Sequence, residues 1–177
     1  MKILLVRHGE TDWNLKNKVL GRTDIPLNEK GIKQAEILAE QLKANKIDIM
    51  ITSPLQRAIE TGAIITEKLN LDCECIIESC LIEQNYGIFE GVDRNDAQYQ
   101  NAKRNFFSKY KDGESFLDVA ARVYPFIKGL SKLNVTTCLI VTHNGICRII
   151  SNYFENMTNE EFATFSMSNC EIKEYVL

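Results

Sequence analysis

The chain has 177 residues, 45% of them hydrophobic and 25% charged, with a net charge of -3 at pH 7. This suits one globular domain, 1–177, with room for a full core. The acidic balance gives no general attraction to nucleic acid or an anionic membrane, so anion recognition has to be local, and no run approaches the ~18 apolar residues of a membrane span.

Strand and helix signals alternate along the chain. The apolar run Ile3-Leu4-Leu5-Val6 reads as a strand, and R-H-G-E-T-D-W-N follows it at once. After a polar loop, Asn28 opens a helix with Ile32, Ala35, Leu38, Ala39 and Leu42 on one face, closing at Asn45. Ile47 to Ile51 is the next strand. Ser53-Pro54-Leu55-Gln56 then has the form of a capping box, with serine as N-cap, proline first and glutamine third, for a helix to about Leu69. Cys75 to Ile77 predicts a short strand, residues 79–91 a glycine-punctuated loop, and 93–111 a polar helical insertion. Ser115 caps a further helix whose stripe is Phe116, Val119, Ala120, Val123, Phe126, Ile127 and Leu130, with Pro125 expected to kink it. A strand ending at Val141, a helix over about 146–154 and a closing strand near Ile172 to Val176 complete the pattern. Strands separated by helix-length segments predict an α/β fold, a three-layer αβα arrangement with a largely parallel central sheet.

The chain's two histidines share one setting. His8 and His143 lie 135 residues apart, yet each follows an apolar strand directly and precedes a glycine-containing turn. That places both at the carboxyl edge of the sheet, where open α/β folds collect their chemistry. Arg7 leaves the first strand beside His8, and Arg57 lies one turn into the helix after the second strand. A cation there is disfavoured by the positive end of the helix dipole, and a bound dianion reverses that sign. Pairing with Glu60 is the plainer explanation of Arg57 alone, but Arg57 with Arg7 suggests a two-arginine phosphate clamp. Two histidines and Glu83 also match a metal-binding triad; the flanking arginines repel a metal cation, so no metal and no cofactor is expected. The six cysteines are scattered, and M-K-I-L-L-V-R-H leaves no room for a secretory apolar segment, so reduced thiols and a cytoplasmic location are expected. Cys73, Cys75 and Cys80 read as small buried hydrophobes before they read as metal ligands.

In order along the chain stand L-V-R-H-G-E-T-D-W-N at 5–14, G-R-T-D-I-P-L-N-E-K-G at 21–31, S-P-L-Q-R-A-I-E-T at 53–61, L-I-E-Q-N-Y-G-I-F-E-G at 81–91, D-G-E-S at 112–115 and V-T-H-N-G at 141–145. With these words the sequence closely resembles the histidine phosphatase superfamily, the group of cofactor-dependent phosphoglycerate mutases and acid phosphatases. The resemblance implies that His8 is a nucleophile forming a phosphohistidine, that Arg7, Arg57 and His143 surround the phosphoryl group, and that Asn14 adds a donor. It implies that Glu83 is the proton donor and that Gly21, Arg22 and Thr23 lie in a substrate-contacting loop, with Asn144 also at the site. It also places an orienting backbone carbonyl, just after the histidine, on the second ring nitrogen of His8.

These residue types suit phosphomonoester chemistry. The ester's negative charge repels nucleophiles, so cations have to neutralise it first; a neutral imidazole then attacks and gives a labile P–N bond that water can cleave. The arginines push the His8 pKa down by like-charge repulsion. Glu83 has to carry a proton as the ester oxygen leaves, and His143 is expected to act as a charged donor to the equatorial oxygens. The sequence thus predicts a metal-independent phosphatase of a small phosphorylated metabolite. A phosphoglycerate mutase is the rival enzyme, and a non-catalytic binder of phosphorylated ligands the rival outside catalysis.

Some positions depart from the family's usual wording. Asn144 stands where glycine usually follows the second histidine, and a left-handed Asn144 is expected to preserve the turn. Phe89 replaces tryptophan, and Lys111-Asp112 a proline-glycine pair. Segment 92–112 is expected to form a lid. Its stretch Gln100–Lys111 carries Lys103, Arg104, Lys109 and Lys111 with Phe106, Phe107 and Tyr110 and no acid, which suits a basic aromatic cover over an anion or, more plainly, a solvated helix above a core stripe.

Overall fold

A computed structural model describes residues 1–177 and contains a five-stranded sheet in the order β3-β2-β4-β1-β5. In chain order the elements are β1 (Lys2–Arg7), α1 (Asp12–Leu15), α2 (Glu29–Leu42), β2 (Ile49–Thr52), α3 (Gln56–Leu69), β3 (Glu74–Ile77), α4 (Ala97–Ala102), α5 (Phe116–Leu130), β4 (Thr137–Thr142), α6 (Asn144–Phe154), α7 (Asn159–Thr164) and β5 (Ile172–Val176). Strands β1 to β4 are parallel to their neighbours, and β5 closes the edge antiparallel to β1.

The strands alternate faces with a period of two, which divides the core into two layers. Leu4, Val6, Met50, Leu139 and Val141 pack with Leu38, Ala39 and Leu42 of α2 and Ala58 and Ile65 of α3. Ile3, Leu5, Ile49, Ile51, Cys138 and Ile140 pack on the opposite face with Val119, Val123 and Ile127 of α5 and Ile146, Ile149 and Ile150 of α6. This is the expected αβα arrangement. Burying each valine, leucine, isoleucine or methionine among these contributes ~1.5–3 kcal/mol, and slipping any strand by one residue would turn its whole set to the wrong layer.

Local details differ from expectation. Ser53 is not a helix cap: α3 starts at Gln56, its N-cap Leu55 offers no side-chain bond, and Asp24 from another loop accepts the Gln56 N–H at 2.8 Å. Helix α2 ends at Leu42, and Ile32 is exposed where the buried position is Gly31. Ser115 does cap α5, reciprocally with Asp118; the helix runs on through Pro125, and Ala120 and Phe126 are only partly buried. Cys73 precedes its strand, and Cys75 is exposed rather than buried.

The 93–111 segment holds only the six-residue α4. Tyr99 and Tyr110 turn into a satellite cluster with Val19, Tyr86 and Phe89, their rings 5.2–6.4 Å apart. Bringing both tyrosines to one spot doubles the chain back and overrides its helical propensity. No helix is long and apolar enough to cross a membrane.

Candidate active site

Parallel pairing places three strand ends side by side. Arg7 is in register with Thr142, and Thr52 with Val141, so His8, Ser53 and His143 each stand one residue beyond a strand at the same edge. The His8 N–H donates to Thr142 O at 2.9 Å, and the two imidazoles lie 5.1 Å apart, centroid to centroid.

His8 is buried and fixed from both sides. Its Nδ1 lies 2.7 Å from Gly9 O, an acceptor that requires Nδ1 to carry the proton and leaves Nε2 as a lone pair. Arg57 Nε donates to that Nε2 at 3.3 Å. Burial first, then the Arg57 and Arg7 charges, hold the His8 pKa well below 6.5. Gly9 has to be glycine because a Cβ would sit 2.6 Å from Gly31 O; the loop after β1 meets the start of α2 backbone to backbone. Thr61 ties the same loop to α3, accepting from Gly9 N and donating to Arg57 O.

Arg57 is fully buried and makes no pair with Glu60. Its Nη2 donates to Gly21 O at 2.7 Å and Nη1 to Thr23 O at 3.0 Å, while Glu60 accepts from Leu27 N and Gln56 Nε2. Arg7 donates through Nη1 to Met167 O. Burial lowers both arginine pKa values to about 10, still cationic at neutral pH.

Around His8 several buried polar atoms have no protein partner: Arg7 Nε, Asn14 Nδ2 and His143 Nδ1. Buried polar groups are ordinarily hydrogen-bonded, so a cluster of this kind points to an anionic ligand. Asn14 is oriented for it, its Oδ1 accepting from Thr11 N and Oγ1 at 3.1 Å each. His143 Nε2 lies 2.6 Å from Ser53 Oγ. Ser53 Oγ also accepts from Leu55 N; with the Ser53 hydroxyl donating to Nε2, the ring proton of a neutral His143 stands on the unpartnered Nδ1. Burial, Arg57 and His8 depress the His143 pKa well below 6.5, and a bound dianion would favour the charged form expected of it.

Glu83 is buried against this cluster. Its Oε1 accepts from Gln84 N at 2.8 Å and Oε2 from Gly145 N at 3.2 Å. A Cβ on Gly145 would lie 2.5 Å from Glu83 Oε1, so only glycine admits the carboxylate. Asn144 is the first residue of α6 and not left-handed; the turn is made by His143 in extended conformation. Asn144 Oδ1 accepts from Met167 N.

A cavity of about 160 Å³ is lined by Arg7, His8, Asn14, Gly21, Arg57, Glu83 and Asn144 among others, while His143 stands against His8 without reaching its wall. Arg22 and Thr23 stay outside it. The Arg22 guanidinium reaches Glu83 O and the Glu114 carboxylate instead, and Thr23 Oγ1 donates to Glu90 at 2.6 Å. Both residues shape the loop rather than the cavity wall.

A family model described as the histidine phosphatase superfamily (branch 1) matches residues 3–177. The chain belongs to this superfamily. Among superfamily relatives, the 2,3-bisphosphoglycerate-dependent phosphoglycerate mutase of Bartonella bacilliformis is 35% identical over 90% of this chain and 84% of its own. A Bacillus subtilis protein named as the uncharacterized phosphatase PhoE is 35% identical over 97% of this chain and 89% of its own. The alpha-ribazole phosphatase structure from Shigella flexneri superposes with a TM-score of 0.84 at 27% identity, covering 98% of this chain and 89% of that one.

Further residues shape the site from outside the motif core. Asn169 Nδ2 donates to His8 O at 2.8 Å, and the Ser53 hydroxyl orients His143. Glu90 accepts from Arg22 N, Thr23 N and Thr23 Oγ1, and more weakly from Tyr86 N. Arg122 and Glu114 brace the Glu83 segment, with Arg122 donating to Glu83 O and Asn85 N donating to Glu114. The E-G after Phe89 and the E-S before α5 were visible as family words, but their task depends on contacts between distant segments.

Proposed function

We propose that this protein is a metal-independent phosphomonoesterase that removes phosphate from a small phosphorylated metabolite through a phosphohistidine on His8. The carrying observation is His8 with Nδ1 on Gly9 O and an unprotonated Nε2 that meets only the long 3.3 Å bond from Arg57 Nε, beside three buried donors that have no protein partner. Nε2 attacks phosphorus in line while Arg7, Arg57, Asn14 and His143 hold the oxygens, the P–O ester bond breaks, and Glu83 gives its proton to the leaving oxygen. Ionised Glu83 then takes a proton from a water that attacks phosphohistidine, and the P–N bond breaks to release inorganic phosphate and free His8. A site flanked by Arg7 and Arg57 repels a metal cation, which supports chemistry without one. Six free thiols fit a cytoplasmic location.

Segment 92–112 supports hydrolysis over mutase action. Tyr99, Gln100 and Lys103 reach the cavity wall, so the segment acts as a partial lid. A mutase has to keep water from phosphohistidine while its sugar acid turns over, and a cover of roughly twenty residues, much of it committed to the tyrosine cluster, is short for that. The relatedness to the Bartonella mutase favours the other enzyme.

Two experiments test the nucleophile and the reaction. Acid-quenched enzyme is expected to carry substrate-derived phosphate on His8, and His8→Ala to turn over no substrate; label elsewhere or an active variant would overturn the nucleophile. With 3-phosphoglycerate and catalytic 2,3-bisphosphoglycerate, phosphate release is expected to outrun formation of 2-phosphoglycerate. Interconversion faster than release by about tenfold or more, ~1.4 kcal/mol of barrier difference, would make the protein a mutase.

A further inference from the structure

Residues 165–171, between α7 and β5, belong to no helix or strand. Their backbone groups have no ladder to join, yet buried ones have to be paired. The partners here come from the active site. Met167 O accepts from Arg7 Nη1, Cys170 N donates to Arg7 O at 2.9 Å, and Asn169 Nδ2 donates to His8 O at 2.8 Å. Phe165 O accepts from Arg148 Nη2 on α6 at 3.1 Å. Cys170 takes φ +59°, a conformation unfavourable to a residue with a Cβ unless its surroundings hold it. The segment is a strap across the end of β1.

Met167 is the point at which the strap meets Arg7. Its side chain is fully buried in the layer with α5 and α6, its C=O takes the Arg7 guanidinium, and its N–H donates to Asn144 Oδ1 at 2.8 Å. Asn144 opens α6 directly after His143. The residue beside one histidine thus fastens the carbonyl that holds the arginine beside the other. None of the chain's nine ion pairs includes Arg7, so Met167 O is the only protein partner of its guanidinium. A guanidinium presents its donors in a rigid planar fork, and one bond at Nη1 therefore sets the direction of Nε and Nη2. Nε is buried without a partner, an edge left open for the phosphoryl oxygens.

We propose that Asn144 is a positioning residue for Arg7: by holding the Met167 N–H it fixes the carbonyl that aims the Nε–Nη2 edge of Arg7 at the phosphoryl group. This rests on the phosphohistidine reading of the site. Family members usually carry glycine at this position, and glycine has no side chain to reach Met167, so the fastening belongs to this chain's own wording. Donors aimed in advance at the charge of the transition state need no reorganisation as it forms. With the Met167 N–H released, the strap turns about Met167 and carries the carbonyl off Arg7, whose long side chain then has rotamer freedom to lose on meeting the phosphoryl group. Asn144 also lines the cavity, so the test has to separate this role from direct contact of its amide with the substrate.

The measurement is vanadate binding by calorimetry, on the intact protein, in a double-mutant cycle. Vanadate imitates the five-coordinate phosphoryl group, and its binding needs no turnover. Asn144→Ala is expected to weaken it about tenfold, the worth of one charge-assisted hydrogen bond, and to lower kcat on p-nitrophenyl phosphate similarly. In an Arg7→Lys background, whose ammonium has no fork to aim, the same change is expected to weaken vanadate by about twofold or less. An unweakened Asn144→Ala protein would overturn the proposal. So would equal losses in the two backgrounds, which would mean that Asn144 touches the anion itself or only supports the fold. Should Arg7→Lys bind no vanadate, the nitrogen NMR signal of Arg7 Nε in the vanadate complex decides: a sharp signal in the wild type that broadens in Asn144→Ala supports the proposal, and an unchanged one overturns it. Asn144→Gly, which carries the family's usual residue, takes over the same test if Asn144→Ala does not fold. A wild type that binds no vanadate and leaves p-nitrophenyl phosphate intact would overturn the phosphohistidine reading itself.

Discussion

Glu83 combines two tasks that a single substitution can separate. Its carboxylate accepts one backbone N–H on each oxygen, which fixes its direction, and the proposed mechanism also makes it the proton donor. Glu83→Gln keeps the size but puts an amide NH₂ against one of those N–H groups, so some rate is lost through position alone. Protonation matters for an alkoxide leaving group and little for p-nitrophenolate. The variant is therefore expected to lose ~10²–10⁴ in kcat on an alkyl phosphate, the usual range for a general acid, and about tenfold less than that on p-nitrophenyl phosphate. Equal losses on the two esters would reduce Glu83 to a positioning residue.

The loop between α1 and α2 is held by contacts rather than by its own sequence. Gly21 adopts φ +56°, and a Cβ there would lie 2.0 Å from Glu90 Oε1. Glu90 takes the Arg22 and Thr23 N–H groups, and the loop's carbonyls at Gly21 and Thr23 take the Arg57 guanidinium. Glu90 is thus a positioning residue that acts on His8 through Arg57. Glu90→Gln weakens charge-assisted bonds of roughly 1.5–3 kcal/mol, and kcat is expected to fall about tenfold. In an Arg57→Ala background the same change is expected to have little further effect, a coupling of ~1 kcal/mol or more in a double-mutant cycle. Additive losses would show that Glu90 supports the fold and not the guanidinium.

At the scale of the whole molecule, the site places two uncharged imidazoles among cations, and this ties stability to pH. In the unfolded chain both histidines titrate near 6.5; in the fold, burial and then the Arg57 charge hold both pKa values well below that. Below pH 6.5 the unfolded chain binds protons that the native state refuses. The stability is therefore fully present above about pH 6.5 and is lost as pH falls from there through the native values. Tm is expected to be lower at pH 5 than at pH 7.5, and His143→Asn, which cannot titrate, is expected to flatten that fall. Parallel Tm profiles for the variant and the wild type would rule out His143 as a source of the effect.

The sequence by itself determined the layers and the placing of His8, Arg7 and His143 at one edge of the sheet. Alternating apolar strands and 3.6-period helices are local patterns, and each strand's period of two assigns its residues to one layer or the other without knowledge of the partner. The R-H-G and T-H-N words at strand ends were equally legible, because the sequence neighbours of a strand end are its spatial neighbours at the sheet edge. Tertiary structure alone decided what depends on segments far apart in the chain. Ser53 looks like a helix cap until His143, 90 residues on, draws its hydroxyl. Arg22 looks like a substrate contact until Glu114 is seen to accept its guanidinium. The 93–111 stretch has helical composition, yet the gain from burying Tyr99 and Tyr110 with Tyr86 exceeds a per-residue propensity below ~1 kcal/mol and folds it back. Asn144 reads as a departure from the family's glycine, and its bond to Met167, 23 residues on, is a contact that no local window of sequence contains.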